Sequence, residues 1–560
     1  MTAIFLAFLA LAASGSWASS LATGGLIRRD TKVTEPNTSR PVVDLGYALH
    51  APRITTSPDE RTYYNFSNIR YAAPPVGSLR FQLPQEPINN RSAGVQDGTY
   101  GKICPQAYTP WQNPSFVTAP PGELESEDCL FLDVVVPQSA WNQRSHSLRP
   151  VMVWVHGGGF QIGAKWGGPL TNPLGLQDRS FDEDGEGVVF VALNYRLGAL
   201  GWLQGESFTS AGGVPNVGLH DQRKALQWIN KRIHLFGGDP SRVTIMGESA
   251  GGGSILHHIT AYGGKKDAPQ FQRAILQSPA YVPRPYSSQA KGSYSTFLNA
   301  ANVSSLSDLV ALDTLRVQIA NKLSQSSNFF GGFQFGPAPD GGYVPELPEK
   351  LLASGQFHKG VQVMVAHNTF EALKYTDPTA TNSSAFDTWM KLYFPDIPRA
   401  SLKELTTKIY PPVYNSSSLP WTTPFDRVMT AVADITFTCH AYFVAKAVGA
   451  RAGINGRRGP PAYGYLFSVP PGVHTLDVNY SFYINSTRSP LVTNATTAGI
   501  LQGYLTTFAE TGDPNRESLP AFPIYGAKNT NLNLNATFVG VIKDPAANSR
   551  CDWWGEASYS

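Results

Sequence analysis

A glycine-flanked serine is the strongest chemical signal in this chain. The run Gly247-Glu248-Ser249-Ala250-Gly251 follows the apolar stretch 243–246 and precedes a helix-like stretch, 254–259. A G-x-S-x-G motif at a strand-to-helix turn is a nucleophile elbow, in which glycines permit a sharp turn and the serine Oγ stands at the head of the helix. The motif alone recurs by chance in Gly/Ser-rich loops. In this context it predicts Ser249 as an acyl-transfer nucleophile.

Acyl transfer also needs N–H donors for the oxyanion of the tetrahedral intermediate. The run His156-Gly157-Gly158-Gly159 directly follows the apolar stretch 151–155. Glycines suit this role because a backbone N–H can approach the substrate without an obstructing Cβ. A phosphate-binding loop is one alternative, but neither G-K-[ST] nor G-x-G-x-x-G is present; a plain tight turn is another. We predict the N–H groups of Gly158, Gly159 and Ala250 as the donors.

The general base is expected to be a histidine well beyond the serine, since such elbows are followed along the chain by an acid and then a histidine. Only His440 and His474 lie in the last third of the chain. His440 lies in the apolar helical stretch 437–445, where a structural core histidine is the simpler interpretation. His474 lies in a Pro/Gly loop after the apolar stretch 463–468, so we predict His474 as the base.

The acid must be selected from 13 carboxylates between Ser249 and His474. Glu371 lies five residues beyond the apolar stretch 361–366, on the loop that follows it. Asp340 precedes Gly341-Gly342, which favours a structural role in a turn. We therefore predict Glu371 as the third member of the catalytic group.

The elements that must position these residues alternate between strand and helix. Short apolar runs are typical of strands covered on both faces, and they recur at 151–155, 188–193, 243–246, 361–366 and 463–468. The stretch 221–233 carries apolar residues at helical spacing and is ended by 237–240. This alternation predicts an α/β protein with a mostly parallel central sheet, flanked by helices. We expect the later strands to join the same sheet, and residues 19–560 to form a single domain.

Composition is that of a globular protein, with 42% hydrophobic and 11% aromatic residues. The 44 Lys and Arg residues nearly balance 41 Asp and Glu residues, giving a net charge of +3. So small an excess gives no reason to expect a nucleic-acid partner. The sequence does not indicate an oligomeric state.

The N-terminus predicts export. An apolar run at 4–13 is followed by small residues around Trp17, which indicates a signal peptide at 1–18; a merely hydrophobic N-terminus is the alternative. No later run reaches the ~18 apolar residues of a membrane span, so we expect a secreted protein without a stable membrane anchor. Ten glycosylation sequons agree with export. They are Asn37, Asn65, Asn90, Asn302, Asn382, Asn415, Asn479, Asn485, Asn494 and Asn535.

Four cysteines suit an oxidising compartment. Sequence alone allows three pairings, of which the proximity of Cys104 and Cys129 favours the one that leaves Cys439 with Cys551. Metal binding is the alternative, but there is no C-x-x-C or Cys/His ligand spacing. We predict no metal and no cofactor.

Taken together, these motifs resemble the type-B carboxylesterase/cholinesterase family of the α/β-hydrolase fold. The likeness covers nearly the whole mature chain. Besides the two glycine-rich motifs, it is carried by 66–81, Ser126-Glu-Asp-Cys-Leu-Phe-Leu132, Asn194-Tyr-Arg-Leu-Gly198, Asn216-Val-Gly-Leu-His-Asp-Gln222 and Phe236-Gly-Gly-Asp-Pro240.

The resemblance implies the triad Ser249, Glu371 and His474, and the disulfides Cys104–Cys129 and Cys439–Cys551. Two segments depart from the family pattern. Around the acid the family usually has Asp-Glu-Gly where this chain has Phe370-Glu371-Ala372, and after the base it often has glycine where this chain has Thr475. Asp477 matches an acidic position of the family, which implies that it supports the triad.

The function that follows is a secreted serine hydrolase acting on small-molecule carboxylic esters through an acyl-enzyme. An acyltransferase or esterase of secondary metabolism would use the same residues, and a non-catalytic cholinesterase-like binding protein is the third hypothesis, although such members typically lack a triad residue.

The 24 residues between Cys104 and Cys129 bear on the size of the substrate. They include Pro105, Pro110, Pro114, Pro120 and Pro121, and apolar residues such as Trp111, Phe116 and Val117 are few and interrupted. Because prolines oppose an amphipathic lid helix, we expect short- or medium-acyl, or aromatic, esters to be preferred over emulsified triglycerides.

Overall fold

The computed structural model describes residues 40–98, 101–112, 122–166, 171–450 and 459–560. The predicted signal peptide, Asn37, and the loop residues Pro114, Phe116, Val117, Pro120 and Pro121 lie outside these ranges. The described strands are β1 (Val43–Asp44), β2 (Leu49–His50), β3 (Arg53–Thr56), β4 (Thr62–Arg70), β5 (Val95–Gln96), β6 (Phe131–Pro137), β7 (Arg149–Val155), β8 (Val189–Leu193), β9 (Gly238–Glu248), β10 (Arg273–Gln277), β11 (Gln362–Asn368), β12 (Ala462–Phe467), β13 (Thr530–Leu534) and β14 (Val539–Lys543).

Eleven of these strands form one sheet, in the order β14-β13-β12-β11-β10-β9-β7-β8-β6-β4-β3. The seven strands from β13 to β8 are parallel to their neighbours. The outer pairs are antiparallel. The expected mostly parallel sheet is thus confirmed, and β11 and β12 join it as predicted. A separate small sheet contains β1, β2 and β5.

The described α-helices lie between and beyond these strands. They are α1 (Gln138–Gln143), α2 (Leu174–Arg179), α3 (Ala199–Trp202), α4 (Glu206–Ser210), α5 (Val217–Arg232), α6 (Ala250–Thr260), α7 (Ser287–Ala301), α8 (Leu306–Ala311), α9 (Thr314–Leu323), α10 (Pro348–Ala353), α11 (Ala385–Tyr393), α12 (Arg399–Glu404), α13 (Pro424–Ala433), α14 (Cys439–Gly449), α15 (Leu476–Ser481), α16 (Ala495–Thr511) and α17 (Ser549–Gly555).

Both faces of the parallel sheet are buried, which explains its continuous apolar runs. In β7, Val151, Val153 and Val155 pack into the larger core on one face, whereas Met152 and Trp154 pack into the core on the other. Helices α6 and α14 contact the sheet on the first face and α16 on the second. Alternate residues of a strand point to opposite faces, so only a sheet covered on both sides buries every residue of such a run.

The boundaries of one helix and the following strand differ from the sequence prediction, in which glycine and proline at 237–240 end the helix. Helix α5 begins at Val217, four residues before the predicted start, and a 3-10 turn continues it to Phe236. Gly237 then reverses the chain with φ 86°, and β9 begins immediately at Gly238. The segment expected only to end a helix therefore also supplies the first residues of the strand that leads to Ser249.

One helical stretch, from Pro424 to Gly449, is long and apolar enough to cross a membrane by length and composition alone. It comprises α13, a π-helical turn at Asp434–Thr438, and α14. In its most apolar window 78% is buried inside the protein, so the stretch is a core helix here.

The disulfides join distant parts of this fold. Cys104 is bonded to Cys129, and Cys439, the first residue of α14, is bonded to Cys551 in α17. The second bond closes a sequence separation of 112 residues and ties the C-terminal helix to the core.

Candidate active site

The site lies at the carboxyl ends of the central parallel strands, the edge where open α/β sheets bind ligands. Strand β9 ends at Glu248 and α6 begins at Ala250, so Ser249 alone makes the turn between them, with φ 56° and ψ −125°. A positive φ is uncommon for a residue with a Cβ and has to be held by its surroundings. Ser249 therefore lies at a strained strand-to-helix turn, as the elbow motif predicts.

The motif glycines are required by close packing. A Cβ on Gly251 would lie 2.0 Å from the carbonyl oxygen of Val155, and one on Gly247 would lie 2.8 Å from the same atom. Either contact is shorter than any real Cβ contact, so a side chain would push α6 away from β7. The two glycines thus allow the helix to start directly against the sheet.

Backbone hydrogen bonds hold Ser249 in this conformation. Its N–H donates to the Gln277 carbonyl at 3.0 Å, and its carbonyl accepts from the N–H groups of Gly253 at 2.8 Å and Ala280 at 2.9 Å. The side chain is 6% exposed and lines a cavity enclosing about 380 Å³ of empty space, part of it open to solvent. The hydroxyl is therefore placed rigidly at the wall of a concave site.

The glycine-rich loop after β7 approaches Ser249 closely. A Cβ on Gly157 would lie 2.9 Å from Ser249 Cβ. Gly158 and Gly159 have φ 107° and 63°, and Cβ atoms there would lie 2.1 Å from the Ile162 carbonyl oxygen and 2.2 Å from the Phe333 ring. All three positions therefore require glycine.

Within the described residues, no hydrogen bond is made by the N–H groups of Gly158, Gly159 or Ala250. The loop that carries the first two is held by other bonds, since Gln161 and Ile162 both donate to the Gly158 carbonyl at 3.1 and 3.0 Å. The three N–H groups that the sequence predicts as oxyanion donors are thus unpaired, and hydrogen bonds of the loop hold the backbone that carries the first two.

His474 and Glu371 come from neighbouring strand ends. Glu371 lies three residues beyond β11, not five beyond a strand end as predicted, because β11 continues to Asn368. His474 lies on the loop after β12, two residues before the short helix α15, which begins at Leu476. The His474 Nδ1 lies 2.5 Å from Glu371 Oε2, and both residues are 1% exposed.

Glu371 is fixed through its second oxygen. Oε1 accepts from the Ser278 hydroxyl at 2.6 Å and from the Asn368 N–H at 2.5 Å. Burial alone would raise the pKa of Glu371, but His474 and these donors outweigh it and hold the pKa below its usual value. The carboxylate is therefore ionised and orients the imidazole.

Asp477 supports the Glu371–His474 pair indirectly, through neighbouring side chains. Its carboxylate accepts from Asn368 Nδ2 at 3.1 Å and from Gln277 Nε2 at 3.0 Å, and it makes no hydrogen bond to His474. Burial raises the pKa of Asp477 to about 6. Since Asn368 also donates to Glu371, Asp477 helps to hold the Glu371–His474 pair by fixing Asn368.

Glu248 is the group that the sequence analysis did not identify. Its Oε1 lies 3.1 Å from His474 Nε2, without the alignment of a hydrogen bond. Burial raises the pKa of Glu248 to about 8. Burial alone would lower the pKa of His474, but the carboxylates of Glu248 and Glu371 raise it above its ordinary value. The only sequence signal for Glu248 was its position inside the elbow motif.

Aromatic rings enclose the imidazole and the cavity. The His474 ring centroid lies 4.4 Å from that of Phe437 and 5.4 Å from that of Tyr375, and both aromatic residues also line the cavity. Phe160, Phe333 and Phe335 contribute further wall. A site lined in this way favours the apolar part of a ligand and strengthens the charge interactions within it.

The other candidates for the base and the acid, His440 and Asp340, make contacts that are typical of structural residues. His440 is 1% exposed and stacks on Tyr281 at a centroid distance of 3.9 Å, and burial lowers its pKa to about 3. Asp340 accepts from the N–H groups of Gly342 at 2.7 Å and Val344 at 2.9 Å, as expected for a turn.

Among the described residues, one group has the composition of a metal site: Asp434, Cys439 and Cys551. Its two sulfurs are bonded to each other, and Asp434 accepts from Arg550 Nε and the Tyr410 hydroxyl at 2.7 Å each. The ligand atoms of this group are therefore already engaged.

Comparison with known proteins agrees with this geometry. The model of the carboxylesterase family matches residues 50–554, so the chain belongs to that family. It has the α/β-hydrolase fold of its solved relatives and is a carboxylic ester hydrolase. The sequence-based identification of the family and fold is thereby confirmed.

Particular relatives cover nearly the whole chain. Carboxylesterase patB of Aspergillus clavatus is 37% identical over 93% of this chain and 96% of its own. A secreted lipase of Arthroderma benhamiae is 30% identical over 82% of this chain and 88% of its own. The solved structure of EstA from Aspergillus niger superposes with a TM-score of 0.77 at 29% identity, covering 93% and 99% of the two chains.

Proposed function

We propose that this carboxylic ester hydrolase works through a covalent acyl-enzyme in which Ser249 is the nucleophile, His474 the general base and Glu371 its orienting acid. The 2.5 Å contact between His474 Nδ1 and Glu371 Oε2 carries the proposal. It leaves Nε2 as the proton acceptor, and Nε2 makes no aligned hydrogen bond to a described residue. Serine hydrolysis needs an imidazole held in this tautomer.

The reaction then follows from the groups around Ser249. The hydroxyl attacks the ester carbonyl as His474 takes its proton, and the N–H groups of Gly158, Gly159 and Ala250 stabilise the oxyanion. His474 next protonates the leaving alcohol, and water repeats the sequence on the acyl-enzyme. Glu371 stabilises the imidazolium throughout.

Ser249→Ala tests the nucleophile. Removing a triad member typically lowers kcat by on the order of 10⁴ to 10⁶. A serine-directed phosphonate should label the wild type at Ser249 and leave Ser249→Ala unlabelled. Ser254, which is buried and hydrogen-bonded within α6 at 2.8 Å, offers a control in Ser254→Ala. Hydrolysis by Ser249→Ala, or labelling at another residue, would contradict the assignment.

The preferred substrates are short- or medium-acyl, or aromatic, esters. The aromatic wall of the cavity supports this, because the rings of Phe160, Phe333 and Phe335 offer an apolar surface to a short acyl chain or an aromatic ring. We expect kcat/KM for 4-nitrophenyl esters to peak at short or medium acyl length. A jump in activity when the substrate exceeds its solubility, or a preference for long-chain triglycerides, would contradict this.

We also propose that residues 1–18 are removed on secretion and that 19–560 form one catalytic domain without a stable membrane anchor. Two disulfides and a relative named a secreted lipase support export. The exposed sequons are the favoured glycan sites: Asn90, Asn302, Asn382 and Asn415. Asn479 is buried and donates to the Thr475 carbonyl at 3.2 Å, so we expect no glycan there. N-terminal sequencing and glycopeptide mapping of the culture-supernatant protein test these statements.

A further inference from the structure

One charged side chain lines the cavity beside Ser249. Among the described residues that line it, the charged one is Arg284. The others are glycine, aliphatic or aromatic residues, two of the aromatic ones being tyrosines, together with Ser249 and Thr436. Arg284 lies on the segment after β10, four residues beyond Ala280, whose N–H holds the Ser249 carbonyl. A guanidinium in such a wall needs an explanation, because it weakens the binding of an apolar ligand unless it has a partner.

The guanidinium is incompletely paired. Nη2 donates to the Phe333 carbonyl at 2.6 Å, and among the described residues no carboxylate lies within ion-pair distance of Arg284 and no other hydrogen bond is made by it. Arg284 is partly buried, and the fully buried arginines of the described chain are better paired. Arg427 donates to three backbone carbonyls, whereas Arg80 and Arg196 have carboxylate partners. Arg80 Nε donates to Glu127 at 2.6 Å, and Arg196 Nη2 donates to Asp221 at 2.7 Å.

The unpaired side of Arg284 faces space. A Cβ placed on Gly336 would lie 3.6 Å from Arg284 Nε and 3.4 Å from the Phe160 ring, and glycine leaves that position empty. Gly336 and Phe160 line the same cavity, and Phe160 directly follows the glycine-rich loop. Burial lowers the pKa of Arg284 to about 10, so the group is charged at neutral pH.

We propose that Arg284 is a specificity-determining residue that binds a carboxylate on the substrate while the ester carbonyl lies at Ser249. This rests on the proposed function of Ser249. The preferred substrates are then esters that carry a second, ionised acid group, either on the acyl chain or on the leaving alcohol. One of the five N–H groups of Arg284 is used, by the Phe333 carbonyl, so Nη2 keeps a second N–H beside the free N–H groups of Nη1. Two adjacent, parallel N–H groups match the two oxygens of a carboxylate.

Matched ester pairs test the proposal. On the acyl side, mono(4-nitrophenyl) glutarate is compared with 4-nitrophenyl valerate, which has a methyl group in place of the carboxylate. On the alcohol side, 4-carboxyphenyl acetate is compared with 4-methylphenyl acetate. The readout for each pair is the ratio of kcat/KM for the anionic ester to that for the neutral one.

Arg284→Met should lower this ratio by about 10- to 100-fold for the pair whose carboxylate reaches residue 284, which is the range expected for a hydrogen bond to a charged group. Arg284→Lys should recover part of the loss, since it keeps the charge without the fork. Arg316→Met is the control, because the Arg316 side chain is 74% exposed and lies outside the cavity wall. Unchanged ratios for both pairs in Arg284→Met and Arg284→Lys would overturn the proposal.

A binding measurement separates this inference from the catalytic assignment. Ser249→Ala should bind the intact anionic ester of the responding pair more tightly than the neutral one in calorimetric titration, and adding Arg284→Met should abolish the difference. Hydrolysis by Ser249→Ala would refute the proposed nucleophile alone. Equal affinities of Ser249→Ala for the anionic and neutral esters of both pairs would refute the role of Arg284 alone.

Discussion

Replacing Glu248 by glutamine should move the rising limb of the pH–rate profile to lower pH. His474, the proposed base, must be neutral to accept the serine proton, so kcat/KM should rise as His474 loses its own proton. Ionised Glu248 stabilises the imidazolium from 3.1 Å away and therefore delays that loss. Glutamine has a similar shape but carries no charge, so the imidazolium should deprotonate at a lower pH.

The separation sets the size of the effect. Two unit charges 3.1 Å apart interact by about 1.3 kcal/mol at a dielectric constant of 80 and by about 5 kcal/mol at 20, which corresponds to about one to four pH units. Burial raises the pKa of Glu248 to about 8, so this carboxyl is only partly ionised where the histidine titrates. Because partial ionisation weakens the interaction, we expect the rising limb to be displaced by about one pH unit, the smallest value in this range.

The assay is kcat/KM for a soluble ester between about pH 4.5 and 9, repeated with the rate of phosphonate inactivation in case turnover is weak. Asp477→Asn should displace the limb in the same direction but by less, because Asp477 contributes less than Glu248 to the raised pKa of His474. Glu206→Gln, at an exposed position, is the control. A limb that stays in place or moves to higher pH in Glu248→Gln would refute the electrostatic reasoning.

Three further predictions concern stability. Thr475 has φ 74°, which is strained for a residue with a Cβ, and its hydroxyl makes no hydrogen bond to a described residue. Because glycine adopts this φ without strain, Thr475→Gly should raise the free energy of unfolding by about 0.5–1 kcal/mol in denaturant titration, and a loss of stability would contradict this. Removing Cys439–Cys551 by double alanine substitution should cost about 4–5 kcal/mol in the chain-entropy model, more than removing the shorter-range disulfide, and calorimetry should show that order. Burial lowers the pKa of His50 to about 4, so the unfolded chain binds more protons than the folded one between about pH 6.5 and 4, and the free energy of unfolding falls as the pH falls through that window. His50→Leu should make this dependence of the free energy of unfolding on pH less steep, by up to about 1.4 kcal/mol per pH unit. An unchanged pH dependence would contradict the lowered pKa of His50.

Local patterns predicted those parts of the site that depend on local backbone geometry. The elbow and the glycine loop could be recognised because each needs particular residues in sequence, and the structure shows the clashes that any other residue would cause. Glu371 could be selected only by its distance from a predicted strand. Ala372 departs from the family pattern without strain, since its φ is not positive, whereas Thr475 keeps a conformation that favours glycine.

Contacts between strand ends could not be predicted in the same way. Glu248 meets His474 although 226 positions separate them in the numbering, and Ser278 meets Glu371 across 93. Such distances follow from strand order and side-chain direction, which periodicity does not encode. The position of Arg284 at the cavity could not be predicted either, because the segment around it contains prolines and resembles an ordinary surface loop in composition.

The strand order has a consequence for how the protein is made. Parallel neighbours are joined by long crossovers: Arg273 pairs with Gln362, and Val363 with Ala462. During synthesis β11 must therefore wait about a hundred residues for β12, with one edge of hydrogen-bonding groups unsatisfied, and such edges invite aggregation. His474, the proposed base, follows β12 in the chain. A chain cut short before β12 would keep Ser249 and should have no hydrolytic activity, so ester turnover should report that the sheet has formed at least as far as β12.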